Sequence, residues 1–280
     1  MNPIVFDDVT FSYPPDDADE LDARELEAES GPAPVISQLS LELPDGLTFV
    51  VGPNGIGKST LMLLAAARLF PQSGTITVMN EPTGSYADAG FDPDLEERRN
   101  RVVSFVYQNM EFETESPIGD VLEAVASNSV DPGEASDRFR EILEAADLKE
   151  RLDAHMQELS KGEMQRAIVA MSLLYGSPIV MMDEPVFAVE PARAERLFEY
   201  LRESCRRRNH SIYVSAHDVQ LARTFSDAVI LMHADRLVET GSPAELLDKH
   251  RLEEAFKAPW DTLYRRQALY REFLIKSGDA

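Results

Sequence analysis

Cysteine is nearly absent: Cys205 is the only one in 280 residues. No internal disulfide can form and no thiolate cluster can hold a metal, which fits a reducing compartment. Lysine is also scarce, confined to Lys58, Lys149, Lys161, Lys249, Lys257 and Lys276. Positive charge is in the minority overall, with 27 Lys and Arg against 50 Asp and Glu and a formal charge of −23. Such a surface repels nucleic-acid phosphates, and no nucleic-acid partner is expected. Nothing approaches the roughly 20 uninterrupted apolar residues that cross a bilayer. The start, Met1-Asn-Pro-Ile-Val-Phe-Asp-Asp8, lacks a charged-then-apolar signal. The expectation is a cytoplasmic chain without membrane spans of its own, long enough to bury a sizeable core.

What the chain does have is a glycine-rich run, Gly52-Pro53-Asn54-Gly55-Ile56-Gly57-Lys58-Ser59-Thr60. The spacing Gly-x-x-x-x-Gly-Lys-Ser builds a phosphate cradle. Glycines let the backbone turn so that successive N–H groups face anionic oxygens, and a helix N-terminus adds its positive dipole end. Lys58 would reach the β- and γ-phosphates, Ser59 would offer its hydroxyl to Mg²⁺, and Thr60 would lie beside it. The context is right for a nucleotide site, because Leu47 to Val51 reads as a buried parallel strand and Leu61 to Phe70 as a helix.

Two further motifs carry chemistry. Ile179-Val-Met-Met-Asp183-Glu184-Pro185 is an apolar strand ending in two carboxylates. Asp183 would hold Mg²⁺ directly or through water, and Glu184 would polarise the attacking water as general base. Leu159-Ser160-Lys161-Gly162-Glu163-Met164-Gln165-Arg166 is a Ser-Gly turn opening a helix, a second N-terminus suited to an anion.

In this order the motifs resemble the ATP-binding cassette family, over residues 1 to about 245. The resemblance implies that the turn at Ser160, Lys161, Gly162 and Glu163 contacts a γ-phosphate held by a second subunit. It also implies that Tyr13 stacks on adenine, that Gln108 senses Mg²⁺ and links the core to a helical subdomain, and that His217 contacts the γ-phosphate. The catalytic set is then Glu184, His217, Gln108 and Lys58, and the metal set Ser59, Gln108 and Asp183, with ATP and Mg²⁺ as cofactors. Two departures stand out. Lys161 replaces a glycine and either attracts ATP or stands in solvent. Val186-Phe187-Ala188-Val189-Glu190 lacks the serine and aspartate of the family, which puts communication between two ATP sites in doubt.

The expected fold is α/β, a P-loop NTPase core with an N-terminal antiparallel β subdomain, an inserted helical subdomain and a C-terminal helical extension. The nucleotide-binding core with its β subdomain takes residues 1–108 and 161–245, the helical subdomain 109–160 and the extension 246–280. Strands are expected at Ile4 to Phe6, Val9 to Tyr13, Val35 to Leu43, Gly74 to Met79, Val102 to Tyr107, Pro178 to Met182, Ser211 to Ser215 and Ala228 to Met232. Residues 14–34 read as an acidic exposed loop with one helical turn. The tail has apolar faces through Leu252, Phe256, Leu263, Tyr264, Leu269, Tyr270 and Phe273. It serves packing, or else regulation or a dimer contact.

The resemblance implies a dimer with a second ATPase subunit, identical or not. It implies transmembrane permease subunits as separate chains, a substrate-binding protein as a further partner, and a peripheral position at the inner face of the cell membrane. Met110 and Phe112, beside Gln108, are either permease contacts or packing residues. The Leu-Ser-x-Gly-Glu form and the run after Gly241 resemble importers of metal ions or chelates. The alternative is a soluble, non-transport cassette acting on ribosomes or nucleic acid, which the acidic surface and the single cassette disfavour.

Overall fold

The computed structural model describes residues 3–14, 33–87, 92–108, 110, 114–186, 188–216, 218–263 and 265. The acidic insertion from 15 to 32, Phe112, Phe187, His217, Tyr264 and the tail beyond 265 lie outside the described residues.

Two sheets organise the chain. The first is antiparallel, built from β1 (Ile4–Phe11), β2 (Ile36–Leu43), β4 (Ser73–Val78) and β5 (Glu81–Pro82) in the order β2-β1-β4-β5. Residues 4–6 and 9–13 were expected as separate strands, yet β1 runs on as one. Its pairing with β2 shifts register between Phe6 and Val9, and Asp8 has φ +50. The two aspartates are accommodated as an irregularity that lets Ile4, Phe6, Val9 and Phe11 all face inward.

The second sheet has the order β10-β9-β3-β8-β7-β6. Its strands are β3 (Leu47–Val51), β6 (Val103–Val106), β7 (Ile179–Asp183), β8 (Ser211–Ser215), β9 (Ala228–Met232) and β10 (Val238–Gly241). All but β10 run parallel. Every residue of β3, β6, β7 and β8 is buried, as expected for strands covered on both faces. Strand β10 was not expected, because Val238-Glu239-Thr240-Gly241 is short, partly polar and ends in glycine. It is held instead by antiparallel pairing to β9.

The helices are α1 (Lys58–Ala65), α2 (Pro93–Val102), α3 (Ile118–Ser127), α4 (Ala135–Ala145), α5 (Lys161–Tyr175), α6 (Pro191–Arg208), α7 (Val219–Phe225), α8 (Pro243–Leu246) and α9 (Lys249–Phe256). Helix α1 stops before the Phe70 suggested by its composition. Ala67 takes φ +52, Arg68 N–H bonds to Leu63 O at 2.8 Å and Ala67 N–H to Leu64 O at 3.1 Å. This is the paired-bond helix stop that usually needs glycine. Alanine there is held from outside, by Arg99 donating to Ala67 O at 2.7 Å and by Arg68 bonding Glu96 and Asn100.

One apolar cluster unites a face of the large sheet with the helices. Phe49, Val180 and Val214 share it with Leu122 of α3, Ile142 of α4, Leu174 of α5 and Phe198 of α6. Each large side chain taken from water contributes about 1.5–3 kcal/mol before entropy is counted. Beyond Leu246, Leu252 and Ala255 are buried in the same cluster, with Phe256, Trp260 and Leu263 packed against it. The Arg223 guanidinium sits 5.2 Å from the centre of the Trp260 ring.

Candidate nucleotide site

Strand β3 lies between β9 and β8, and β7 follows β8, so their C-terminal ends share one edge of the sheet. The phosphate loop leaves the end of β3 there and enters α1. Gly57, at the helix start, has φ +109, and a Cβ on it would lie 2.8 Å from Val35 Cγ1. Only glycine adopts that conformation and fits that space. Gly57 brings no side chain to cap α1, so the first amides of the helix are left without a side-chain oxygen. Ser59, Asn54 and Gly55 are exposed around it, with Pro53 and Ile56 partly covered.

Lys58 is buried, and its ammonium donates to Gly52 O and Pro53 O, each at 3.0 Å. Burial pulls its pKa below the ordinary lysine value, opposed by the negative charges of Glu184 and Asp183. The lysine is thus a desolvated cation facing two carboxylates, a placement that gains from a polyanion.

Asp183 ends β7 opposite Ser215 of β8. The Ser215 hydroxyl donates to Asp183 Oδ1 and accepts from the Glu184 N–H at 3.1 Å. Glu184 has φ +50, a left-handed conformation that costs a non-glycine residue about 1–2 kcal/mol. Gln108, two residues beyond β6, donates to Glu184 Oε2 at 2.8 Å. The structure therefore brings together Lys58, Gln108, Asp183 and Glu184. Tyr13 lies near α1, its hydroxyl 3.1 Å from Thr60 Oγ1 and its ring edge-on to Phe11. Tyr13 is 45% exposed.

Ser160 caps α5. Its hydroxyl accepts from Glu163 N–H at 3.3 Å, and Glu163 Oε2 accepts from Ser160 N–H at 2.9 Å. Glu163 also takes a bond from Arg151 Nε at 2.6 Å. Burial works against its charge, but the Ser160 groups and Arg151 outweigh that and hold its pKa below the ordinary value. Lys161 is exposed. Gly162 is where the chain needs no side chain, because a Cβ would meet Ala188 O at 2.6 Å. Glu190 caps α6, accepting from Ala192 N–H at 3.3 Å. One extra methylene still reaches that amide.

Ser215 and Arg151 were not singled out from the sequence, and Gln165 stood in the signature run with no role given to it. Ser215 stands two residues before His217, and only strand pairing sets it against Asp183. Arg151 and Gln165 make their contacts through side chains whose targets no spacing reveals.

The donor set fits a triphosphate with magnesium. An uncapped helix start and a buried lysine suit phosphate, and one hydroxyl with one carboxylate suits a cation that takes its remaining oxygens from phosphate and water. Fold and site together define an α/β cassette with a phosphate loop. Residues 36–187 match the ABC transporter family, and the chain belongs to that family. It is 28% identical over 256 residues to YkoD of Bacillus subtilis, an ATP-binding protein assigned to HMP/thiamine import, covering 90% of this chain and 44% of that protein. It is 30% identical over 207 residues to the phosphonates import ATP-binding protein PhnC of Thiobacillus denitrificans, covering 71% and 77% respectively. In fold it is similar to the ATP-binding cassette MJ0796, solved as a dimer in a post-hydrolysis state with ADP and Pi. That match has a TM-score of 0.66 and 22% identity, and covers 86% of this chain and 98% of the other. The chain thus spans less than half of YkoD and about three quarters of PhnC. No helix among the described residues is long and apolar enough to cross a membrane.

Proposed function

We propose that the chain is the ATP-hydrolysing subunit of an importer, acting as a dimer of cassettes on separate transmembrane permease subunits. The observation that carries this reading is the meeting of Lys58, Gln108, Asp183 and Glu184 at one sheet edge, with Gln108 bonded to Glu184 at 2.8 Å.

In this reading Gly52 to Thr60 wrap the phosphates and Lys58 neutralises their charge. Ser59 and Asp183 would hold Mg²⁺, with Gln108 as a third oxygen donor, and the ion would supply charge neutralisation at the phosphates. Glu184 accepts a proton from water while Gln108 orients its carboxylate. His217, two residues after the end of β8 in sequence, is assigned to the γ-phosphate by family resemblance. Tyr13 supplies an aromatic surface for the base. The turn from Ser160 to Glu163 completes the site of a second cassette, so closure requires two chains, identical or not.

Permease docking is supported by exposed Met110 and Tyr107 next to Gln108. A groove of about 410 Å³ lined by Ser116, Val121, Val125 and Tyr175 lies along α3. Such docking places the chain at the inner face of the membrane, with a substrate-binding protein delivering cargo from outside. The cargoes for which YkoD and PhnC are named differ in chemistry, so cassette similarity does not choose the cargo. The form of the signature turn and the run after Gly241 support a metal ion or chelate.

The test is purified full-length protein with ATP and Mg²⁺. Glu184→Gln is expected to bind ATP, lose turnover and elute as a nucleotide-dependent dimer. Unchanged turnover would remove Glu184 from the role of base.

A further inference from the structure

Helix α5 is tied to the loop that carries Glu184 at two points. Gln165 Nε2 donates to Glu184 O at 2.8 Å, and Gln165 Oε1 accepts from Ala188 N–H at 3.1 Å. Three residues earlier on the same helix face, Gly162 lies against Ala188 O. The left-handed backbone of Glu184 is therefore pinned from two sides. Ser215 O and Oγ hold its N–H, at 3.2 and 3.1 Å, and Gln165 holds its carbonyl. A strained residue of this kind persists only where its surroundings over-determine it. Within the loop, Val186 is apolar and the Glu190 carboxylate caps α6. Helix α5 itself is 15 residues long and packed into the core through Ala167, Val169, Ala170 and Leu174, so it moves as a body.

We infer that Gln165 is a positioning residue that couples two half-sites. Displacement of the Ser160 turn, when it closes on nucleotide held by a second cassette, moves the Glu184 backbone and with it the carboxylate that takes the proton from water. This rests on the dimer proposed above. A misplacement of about 1 Å at such a group costs up to about 10²-fold in rate.

The test compares the ATP dependence of turnover in wild-type full-length protein, Gln165→Leu and Gln165→Glu. Leucine keeps most of the volume and removes both bonds. Glutamate keeps the acceptor for Ala188 and loses the donor to Glu184. Gln165→Leu is expected to lower kcat about 10- to 100-fold, to leave KM for ATP within about twofold, and to bring the Hill coefficient toward about one. Gln165→Glu is expected to fall between it and wild type. Wild-type kinetics in Gln165→Leu, from a preparation in which Glu184→Gln dimerises on ATP, overturn the inference and leave the dimer intact. A raised KM with unchanged kcat overturns it too. Failure of Glu184→Gln to dimerise brings down the dimer first, and the inference with it. If Gln165→Leu loses nucleotide binding through misfolding, Gln165→Glu decides by the same criterion: lower kcat at preserved KM supports the inference, and wild-type values refute it.

Discussion

Two helix starts in this chain look alike in sequence and differ in how they are finished. Helix α1 begins at Gly57 with no side-chain cap and a buried lysine one residue on. Helix α5 begins at Ser160 with a full capping box, and its Glu163 is already engaged by Arg151. The first leaves its opening amides without a side-chain acceptor and sets beside them a buried ammonium bonded to two loop carbonyls. The second is satisfied within its own chain and needs a ligand less. A start of the first kind should bind nucleotide in the isolated chain, and one of the second kind should act on nucleotide that is already held elsewhere.

The strongest way to break this contrast is at the chemistry served by the first start. Glu184→Gln is expected to lower turnover about 10²- to 10⁴-fold with nucleotide binding retained, read by phosphate release and by binding of a fluorescent ATP analogue. Lys58→Ala removes the desolvated cation and is expected to lose about 10²- to 10³-fold in rate, together with nucleotide binding. Retained binding would mean that the amides of α1 suffice. Gly57→Ala forces a Cβ towards Val35 in a left-handed backbone, at a cost of about 1–3 kcal/mol in denaturant unfolding.

At the second start the effects are expected to be smaller and to fall on stability first. Ser160→Ala removes the cap from Glu163 N–H and should destabilise by about 1 kcal/mol while leaving nucleotide binding by the monomer intact. Arg151→Ala breaks a pair whose arginine is half exposed and is expected to cost at most about 1 kcal/mol. Its pH dependence has a definite sign. The Glu163 pKa is held below its ordinary value of 4.5 in the folded chain, so its stabilising contribution is present above that pH and lost as pH falls through the folded value. Glu163→Gln should therefore flatten the acid limb of a stability-versus-pH curve. An unchanged limb would show that the pair contributes nothing measurable.

Residues in contiguous motifs were legible in the sequence because their chemistry is local. The phosphate loop, the acidic pair at the end of β7 and the capped turn before α5 each declare themselves within a few positions. Buried parallel strands were legible too, since β3, β7 and β8 are short apolar runs. What escaped depends on distant partners. Ser215 reaches Asp183 only through strand register, Gln165 reaches Ala188 only through helix packing, and α1 stops at Ala67 without glycine because Arg68 and Arg99 hold the turn from outside. The irregularity in β1 was hidden by Asp7 and Asp8, which look like a break between strands.

The ends of the six-stranded sheet have their own consequence. On one side β10 is a short antiparallel strand, with Glu239 bonded to His233 at 2.7 Å and to Arg251 of α9 at 3.0 Å. On the other, β6 is buried throughout. Neither margin offers a long, flat row of open backbone groups onto which a further strand could add. In the dimer proposed above, association between copies would therefore not run through strand addition at this sheet, and the mass measured on adding nucleotide should rise to that of a pair and stop.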